Sequence, residues 1–410
     1  MAKLVFVGDD FTGASDSLAC YAKAGWRTRL LVRADVRVEE PLDVLGIATD
    51  LRAETPEGIA AGIGRIWPLI AAADPERLHL KICSTFDSSP AIGSVGAMVA
   101  ALAARFRPDV TAVIGGQPSL GRYLHFGHLF ARGPDGQVHR IDRHPVMAAH
   151  PVTPMSESDM RLHLAAQGFA PLGLITTADL AEPQAVAATL RAGPVIFDVG
   201  RQDDLARIAS ILKAVGGRQL LIGASSVAEM LTGNSVPAEG PRAAPPMHRG
   251  ILLFAGSRSS ITRAQVEAFS RGPILRAGPA EISDPTALVA SCASELAHGR
   301  PVLVSLDPEA SYPLSSSALA DRSVEILSKI LARAEVGYLG IAGGDTSSRI
   351  CAGLGFHSLE FDHQISPGVS VCIGCHESEA MDRMALMLKG GQMGGELLFE
   401  NFCSFASSQA

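Results

Sequence analysis

The chain has 410 residues, of which 47% are hydrophobic and 19% charged, so it contains enough apolar material for more than one large domain. Its formal net charge of -7, the lack of a basic stripe and an aromatic content of only 5% argue against nucleic acid as a partner. No apolar run approaches the ~20 residues of a membrane helix, and no signal-peptide pattern precedes the first strand. We therefore expect a cytoplasmic protein without a membrane partner.

The N-terminal stretch predicts a strand (residues 3–7), an acidic turn (8–13) that contains Asp9 and Asp10, and a helix (14–24). Such a turn lies at the carboxyl edge of an α/β sheet, where ligands bind, and the following helix N-terminus favours an anion. One aspartate would then accept a proton from a substrate hydroxyl, and the other would hold a metal or orient a hydroxyl. The alternative is that both aspartates only cap the helix, since Asp is a favoured N-cap residue.

Predicted strands and helices alternate through the rest of the first half. The strands are residues 29–32, 44–48, 78–82, 111–114, 172–176, 195–199 and 219–222, and the helices are residues 56–70, 95–104 and 226–231. This alternation is typical of a mostly parallel sheet that is covered on both faces. A stretch rich in Pro, Gly and Ala follows, without periodicity, and predicts a linker at residues 234–249.

The second half restarts the same alternation, with predicted strands at 251–254, 302–305, 338–342 and 369–373 and predicted helices at 262–269 and 349–353. The fold class is therefore α/β, with two α/β domains of mostly parallel sheets and a cleft between them. We place the first domain at residues 1–233 and the second at residues 250–410.

Turns rich in glycine and hydroxyl residues interrupt the second domain at residues 256–260, 343–348 and 390–395. Glycine lets a backbone approach a phosphate closely, so these turns favour a nucleotide phosphate site. No G-x-x-x-x-G-K-[ST] sequence is present, which excludes a P-loop NTPase, and no G-x-G-x-x-G follows a strand, which leaves a dinucleotide fold unsupported. The alternative is that these are ordinary tight turns in a chain with 41 glycines.

Cations stand near predicted strand ends in the first domain. Arg52, Lys81 and Arg122 could together bind a small carboxylate or phosphate, or each could be a solvated surface charge. Ser84 could donate a hydrogen bond to a polyol or cap a helix.

The seven cysteines are scattered and do not indicate a disulfide framework. Residues 372–376 match the C-x-x-C-H pattern of haem attachment, but they continue a predicted strand, and no second C-x-x-C completes a zinc site. We therefore expect neither haem nor structural zinc.

Several of these motifs, taken in order along nearly the whole chain, resemble the four-carbon acid sugar kinase family, long known as a domain of unknown function. Its members include 3-oxo-tetronate, D-threonate and D-erythronate kinases. The motifs are the acidic opening at residues 7–16, the Lys-Ile-Cys-Ser-Thr-Phe-Asp stretch at 81–87, Leu-Gly-Arg at 120–122, His-Pro-Val at 144–146, Pro-Val-Thr-Pro-Met at 151–155, Gly-Gly-Asp-Thr-Ser at 343–347, Ser-Pro-Gly-Val at 366–369 and the glycine-rich tail at 389–394.

The resemblance implies that the first domain binds the sugar acid, that the second binds ATP, and that the γ-phosphoryl group passes to a terminal hydroxyl of threonate, erythronate or a 3-oxo-tetronate. Asp10 or Asp9 would be the base, with Asp10 slightly favoured. The residues implied for the sugar acid are Thr12, Asp16, Arg52, Lys81, Ser84 and Arg122. Those implied for ATP, whose phosphates Mg2+ would bridge, are Ser257, Gly343, Gly344, Asp345, Thr346 and Gly391. No residue is assigned as a metal ligand.

Residues 87–93 depart from the 3-oxo-tetronate branch, which leaves the identity of the acid open. A homodimer is one option for the assembly. Two other functional classes also remain open. One is a sugar-acid and nucleotide sensor without catalysis, and the other, less favoured because the dinucleotide fingerprint is missing, is an NAD(P)-dependent sugar-acid dehydrogenase.

Overall fold

The computed structural model describes residues 2–36, 40–233, 246, 248–391 and 393–408, so most of the predicted linker at 234–249 lies outside the described residues. The strands are β1 Leu4–Gly8, β2 Thr28–Leu31, β3 Val44–Ala48, β4 Arg77–Lys81, β5 Val110–Ile114, β6 Arg122–His125, β7 His128–Arg132, β8 Val138–Arg140, β9 Gly173–Ile175, β10 Val195–Phe197, β11 Gln219–Gly223, β12 Gly250–Ala255, β13 Ile274–Ala277, β14 Val302–Leu306, β15 Val336–Ala342, β16 Ser358–Ser366, β17 Val369–Cys375 and β18 Met384–Lys389.

The α-helices are α1 Phe11–Lys23, α2 Pro56–Ala73, α3 Val95–Phe106, α4 Met160–Ala165, α5 Pro183–Ala192, α6 Gln202–Val215, α7 Ser226–Thr232, α8 Ser260–Glu267, α9 Pro279–Ser283, α10 Thr286–Ala297, α11 Ser316–Leu331, α12 Gly344–Gly353 and α13 Leu398–Ser408. Across the described residues, no helix is both long enough and apolar enough to span a membrane.

The chain divides into two compact units. The first comprises Met1–Thr28 and Arg37–Glu239, and the second comprises Arg29–Val36 and Gly240–Ala410. The predicted α/β fold class is confirmed in both. The short segment that carries most of β2 therefore belongs to the second unit, although the sequence pattern placed it in the first domain.

The sheet of the first unit has the order β3-β1-β4-β11-β5-β10-β9, and all of its strand pairs are parallel. All five residues of β1 are buried, as expected for a strand covered on both faces. The chain moves from β1 to β3 on one side and then to β4 on the other, so the strand order reverses between β1 and β4. A crevice at such a reversal is the usual ligand site of an open α/β sheet.

A small antiparallel sheet, β6-β7-β8, is inserted after β5. The sequence analysis did not predict it, because its short strands lack a continuous apolar run.

The second unit has the order β13-β14-β12-β15-β18-β17-β16-β2. The pairs within β13-β14-β12-β15-β18 are parallel. The β18–β17, β17–β16 and β16–β2 pairs are antiparallel, the last of them through Leu30 and Leu31. The strand order reverses between β12 and β15, so the second unit has its own crevice of the same kind.

Candidate active site

Asp10 occupies the turn after β1 and does cap α1, because its Oδ1 accepts from the backbone N–H of Gly13 at 3.1 Å and its Oδ2 accepts from Thr12 Oγ1 at 2.8 Å. Capping is not its only contact, since Arg52 Nη2 donates to the same Oδ1 at 2.8 Å. The Asp10 side chain is 19% exposed, whereas that of Asp9 is 2% exposed. Of the two aspartates, Asp10 is therefore the one that a substrate could contact.

Arg52 lies in a short 3-10 turn after β3, next to β1 in the sheet. Its Nε donates to Asp9 Oδ2 at 3.0 Å and its Nη2 donates to Asp9 Oδ1 at 2.7 Å, which is a bidentate pair. The backbone N–H of Arg52 also donates to the Asp9 carbonyl at 2.9 Å. Asp9 thus fixes Arg52, and Arg52 in turn holds Asp10.

Lys81 is the last residue of β4, on the other side of β1, and is 4% exposed. Its Nζ donates to the Ile82 carbonyl at 3.0 Å. A Cβ built on Gly13 would overlap both this Nζ and Asp10 Oδ1, so the lysine ammonium lies beside the aspartate and only glycine leaves room between them. The structure thus brings the predicted residues Asp9, Asp10, Arg52 and Lys81 together.

The pKa values of the two aspartates shift in opposite directions. Burial raises the pKa of Asp9 and outweighs the lowering effect of Arg52. Burial acts in the same direction on Asp10, but Arg52, Lys81, the Thr12 hydroxyl and the Gly13 N–H together lower the pKa of Asp10 below its ordinary value. Asp10 is therefore ionised at neutral pH and partly exposed, and it can accept a hydrogen bond or a proton from a hydroxyl.

Arg122 begins β6, and its Nη1 donates to the Leu120 carbonyl at 2.5 Å. Its Nε is buried without a hydrogen-bond partner, and no carboxylate of the described residues forms an ion pair with it. Burial lowers the pKa of Arg122, and the nearby Cys83 partly offsets that effect. Its charge is therefore available to a ligand. Ser84, half-buried, follows Cys83 in the loop after β4.

Asp16 lies farther along α1, and its carboxylate accepts a hydrogen bond from Ser225 Oγ. Ser225 lies two residues after the end of β11 and also contacts Ser17 Oγ at 3.2 Å. The structure therefore places Asp16 with Ser225 and not with Arg52. The sequence analysis missed the serine, although its place after a predicted buried strand was a usable signal.

In the second unit, the predicted glycine turns meet at the carboxyl edge of the sheet. The N–H groups of Gly256 and Ser257 donate to the Ala342 carbonyl at 2.9 and 3.0 Å. A Cβ on Gly343 would lie 2.9 Å from Thr346 Oγ1, and one on Gly391 would lie 2.5 Å from Ser257 Oγ. The turns after β12, β15 and β18 are therefore packed so closely that Gly343 and Gly391 leave no room for a side chain.

Helix α12 begins at Gly344, not at residue 349 as the sequence pattern predicted. Gly343 adopts φ +132°, and its carbonyl accepts from the backbone N–H and the hydroxyl of Ser347, so the glycine turn itself starts the helix. Asp345 lies in the first turn of that helix. The free N–H groups of a helix N-terminus suit an anion.

A cavity of about 220 Å³ opens at this helix N-terminus. Ser257, Arg258, Gly343, Gly344 and Thr346 line its polar part, and Leu306, Leu319 and Ala320 are among its apolar lining. This combination fits a nucleotide, which has a phosphate end and an apolar base. In the part of the chain that the structure describes, no group of three or more His, Cys, Asp or Glu residues could hold a metal ion.

Comparison with known proteins finds a family model that matches each half of the chain. A model of a sugar-binding N-terminal domain matches residues 4–231, and a model of a nucleotide-binding C-terminal domain matches residues 252–399. The chain is 30% identical to the 3-oxo-isoapionate kinase of Paraburkholderia graminis over 97% of its own length and 93% of the relative. It is also 30% identical to the 3-oxo-tetronate kinase of Methylobacterium radiotolerans, over 96% of both chains.

A crystal structure of a Haemophilus influenzae protein, from a family of unknown function, has the same fold, with a TM-score of 0.76, 21% identity and coverage of 98% of this chain and 100% of the other. Together with the two domain models and the full-length kinase relatives, this confirms what the sequence motifs predicted: the chain belongs to the four-carbon acid sugar kinase family.

Proposed function

We propose that the protein is an ATP-dependent kinase that phosphorylates a terminal hydroxyl of a small sugar acid. On this proposal, the first unit (within residues 1–233) binds the acid and the second (within residues 250–410) binds ATP. The observation that carries the proposal is Asp10, an ionised and partly exposed carboxylate at the strand-order reversal. A carboxylate in that state can accept the proton of an attacking hydroxyl.

The chemical step follows from the residues around Asp10. The hydroxyl oxygen of the acid forms a bond to the γ-phosphorus of ATP, the bond to the leaving ADP breaks, and the hydroxyl proton passes to Asp10. Lys81, beside Asp10, would offset the negative charge of the phosphoryl group that is transferred. Asp9 does not take part directly, because it is 2% exposed and bonded to Arg52, and its role is to hold that arginine.

Arg122 is the proposed partner of the substrate carboxylate, since its guanidinium has no carboxylate partner among the described residues. Ser84 and Thr12 would donate to or accept from hydroxyls of the acid. Names of the relatives suggest 3-oxo-tetronate and 3-oxo-isoapionate as candidate acids, besides threonate and erythronate.

The glycine turns after β12, β15 and β18 would bind the phosphates of ATP through Ser257, Gly343, Gly344, Asp345, Thr346 and Gly391. Magnesium bound with the nucleotide would neutralise phosphate charge, and the phosphate oxygens would be its main ligands.

The test is release of ADP from MgATP in the presence of each candidate acid: D- and L-threonate, D- and L-erythronate, 3-oxo-tetronate and 3-oxo-isoapionate. We expect release with one or two of them and a product heavier by one phosphoryl group in mass spectrometry. Silence across the panel, combined with ordinary ATP binding, would contradict the kinase proposal and favour a sensor without catalysis.

A further inference from the structure

The second unit buries a lysine that the proposed mechanism does not use. Lys389 is the last residue of β18 and has 0% of its surface exposed. Lysine is almost never fully buried unless it is paired with an acid. Its Nζ donates to Thr262 Oγ1 at 2.9 Å and to the carbonyls of Gly391 and Met393, each at 3.3 Å. All of these contacts are neutral oxygens, so they leave the positive charge uncompensated.

The surrounding hydrogen bonds do not require this lysine. The Gly391 carbonyl already accepts from Ser259 Oγ at 2.5 Å, and the Met393 carbonyl already accepts from Gln265 Nε2 at 3.1 Å. Each acceptor would therefore keep a donor if Lys389 were apolar. Burial without an acidic partner lowers the pKa of Lys389 to about 8, which means that the fold bears a cost for the charge.

The ammonium group of Lys389 lies against the third glycine turn, and the Lys389 backbone lies against the second. The Lys389 carbonyl accepts from the N–H of Gly343 at 2.9 Å, and its Nζ contacts the turn that carries Gly391. Gly391 in turn lies against Ser257. Lys389 thus touches two of the three glycine turns while remaining covered by them.

We propose that Lys389 is retained for its charge, which provides positive potential under the glycine turns and so favours the phosphates of the bound nucleotide. This inference rests on the proposed function, because it takes ATP as the ligand of those turns. Lys389 is a positioning and electrostatic residue, since it acts through the turns and does not contact the reacting atoms. A buried charge interacts more strongly with an anion than an exposed one does, because water screens it less.

The experiment compares wild type with Lys389→Met, which keeps the length of the side chain and removes the charge. Binding of ATP, ADP, adenosine and inorganic tripolyphosphate is measured by isothermal titration calorimetry, and Tm is measured on the same samples. The matched control is Lys329→Met, which removes one charge from an exposed position on α11 of the same unit.

We expect Lys389→Met to weaken ATP and tripolyphosphate by at least about tenfold, ADP by less, and adenosine by no more than about twofold. Its Tm should be equal to or higher than that of wild type, because replacing a buried charge by an apolar group is often neutral or stabilising. The control should change none of these values.

Two results would overturn the inference. One is ATP binding by Lys389→Met within about twofold of wild type, and the other is an equal loss for ATP and adenosine together with a lower Tm, which indicates a structural role. Tripolyphosphate separates this inference from the proposed function. If wild type binds tripolyphosphate but not ATP, the kinase proposal is wrong. Tripolyphosphate binding by Lys389→Met would then still test the role of the lysine. Wild type that binds neither contradicts both.

Discussion

Replacing Asp10 with Asn tests the proposed base while leaving most of its contacts in place. The amide oxygen can still accept from the Gly13 N–H, and Asn is as good an N-cap as Asp. What is lost is the ability to take a proton. General-base contributions are typically about 10²–10⁴-fold, so we expect turnover to fall by that factor, or by about 3–5 kcal/mol in activation free energy.

Asp9→Asn should behave differently because Asp9 is buried and forms the bidentate pair with Arg52. Breaking such a pair from one side costs about 3–5 kcal/mol, which corresponds to a Tm lower by roughly 6–20 °C for a domain of this size. Asp10→Asn keeps that pair, and its Tm should fall by no more than about 4 °C. The two variants therefore separate the base from the residue that holds Arg52.

Turnover is measured by release of ADP with the best acid of the panel, and ATP affinity by calorimetry. The control is Asp50→Asn, which makes the same change at an exposed position next to the site, where the side chain caps nothing. A folded Asp10→Asn protein with turnover within about threefold of wild type would refute the assignment of Asp10 as the base. ATP affinity should stay unchanged in all three variants, since the proposed ATP residues lie in the second unit.

Other predictions follow from the same geometry. Arg122→Met should raise KM for the acid by roughly 10- to 150-fold with little change in kcat, since a charge-assisted hydrogen bond contributes about 1.5–3 kcal/mol; steady-state kinetics with an unchanged KM would contradict its role. Gly391→Ala should weaken ATP in calorimetry, because the new Cβ would lie 2.5 Å from Ser257 Oγ, and normal affinity would exclude a tight turn there. The Lys389 Nζ contacts only neutral oxygens, and its pKa is about 8. We therefore expect kcat/KM for ATP to fall as pH rises above 8, and Lys389→Met should abolish this fall. The pKa is lower in the fold than the ordinary 10.5, so the unfolded chain binds more protons between the two values and the free energy of unfolding should rise with pH across that window, which denaturant titrations can check.

The grouping of Asp9, Asp10, Arg52 and Lys81 was predictable because parallel strands share an edge. The sequence placed Asp9 and Asp10 after a buried strand and Lys81 near the end of another, and the carboxyl ends of parallel neighbours must then meet, as β1 and β4 do. Arg52 followed from the same reasoning through β3. Asp16 was placed with the substrate residues because it belongs to the opening motif. The motif alone could not predict that its carboxylate would accept a hydrogen bond from Ser225.

Long-range pairing was not predictable. Residues 29–36 follow the first helix directly, so local pattern placed them in the first domain, but β2 pairs with β16 more than 300 residues later in the chain. Burial does not alternate regularly along β16, and nothing in its sequence indicates that it pairs with β2. By contrast, β16 and β17 form a local hairpin joined by Pro367 and Gly368, and a Pro-Gly dipeptide is itself a turn signal.

The burial of Lys389 could not be predicted for a related reason. A lysine before a glycine-rich turn is usually a solvated charge, and only the packing of the turns around it shows that it is buried. Ser259 and Thr262 also donate hydrogen bonds to the Gly391 carbonyl. By sequence, both resemble ordinary residues at the N-terminus of helix α8. Local patterns therefore located the turns but not the groups that fix them.

The two strand-order reversals differ in charge in a way that matches the two proposed substrates. In the first unit, Asp9 and Asp10 balance Arg52 and Lys81, so Arg122 is the surplus cation, and a monocarboxylic acid would neutralise it. In the second unit, the proposed phosphate turns contain glycines, hydroxyl residues, Arg258 and Asp345, and Lys389 is buried against the turn at Gly391. A site built in this way keeps a positive potential when empty, which suits a polyanion that is released again as ADP. We infer that charge balance, more than shape, decides which substrate each unit accepts, and a neutral polyol should therefore be phosphorylated far less efficiently than the matching acid.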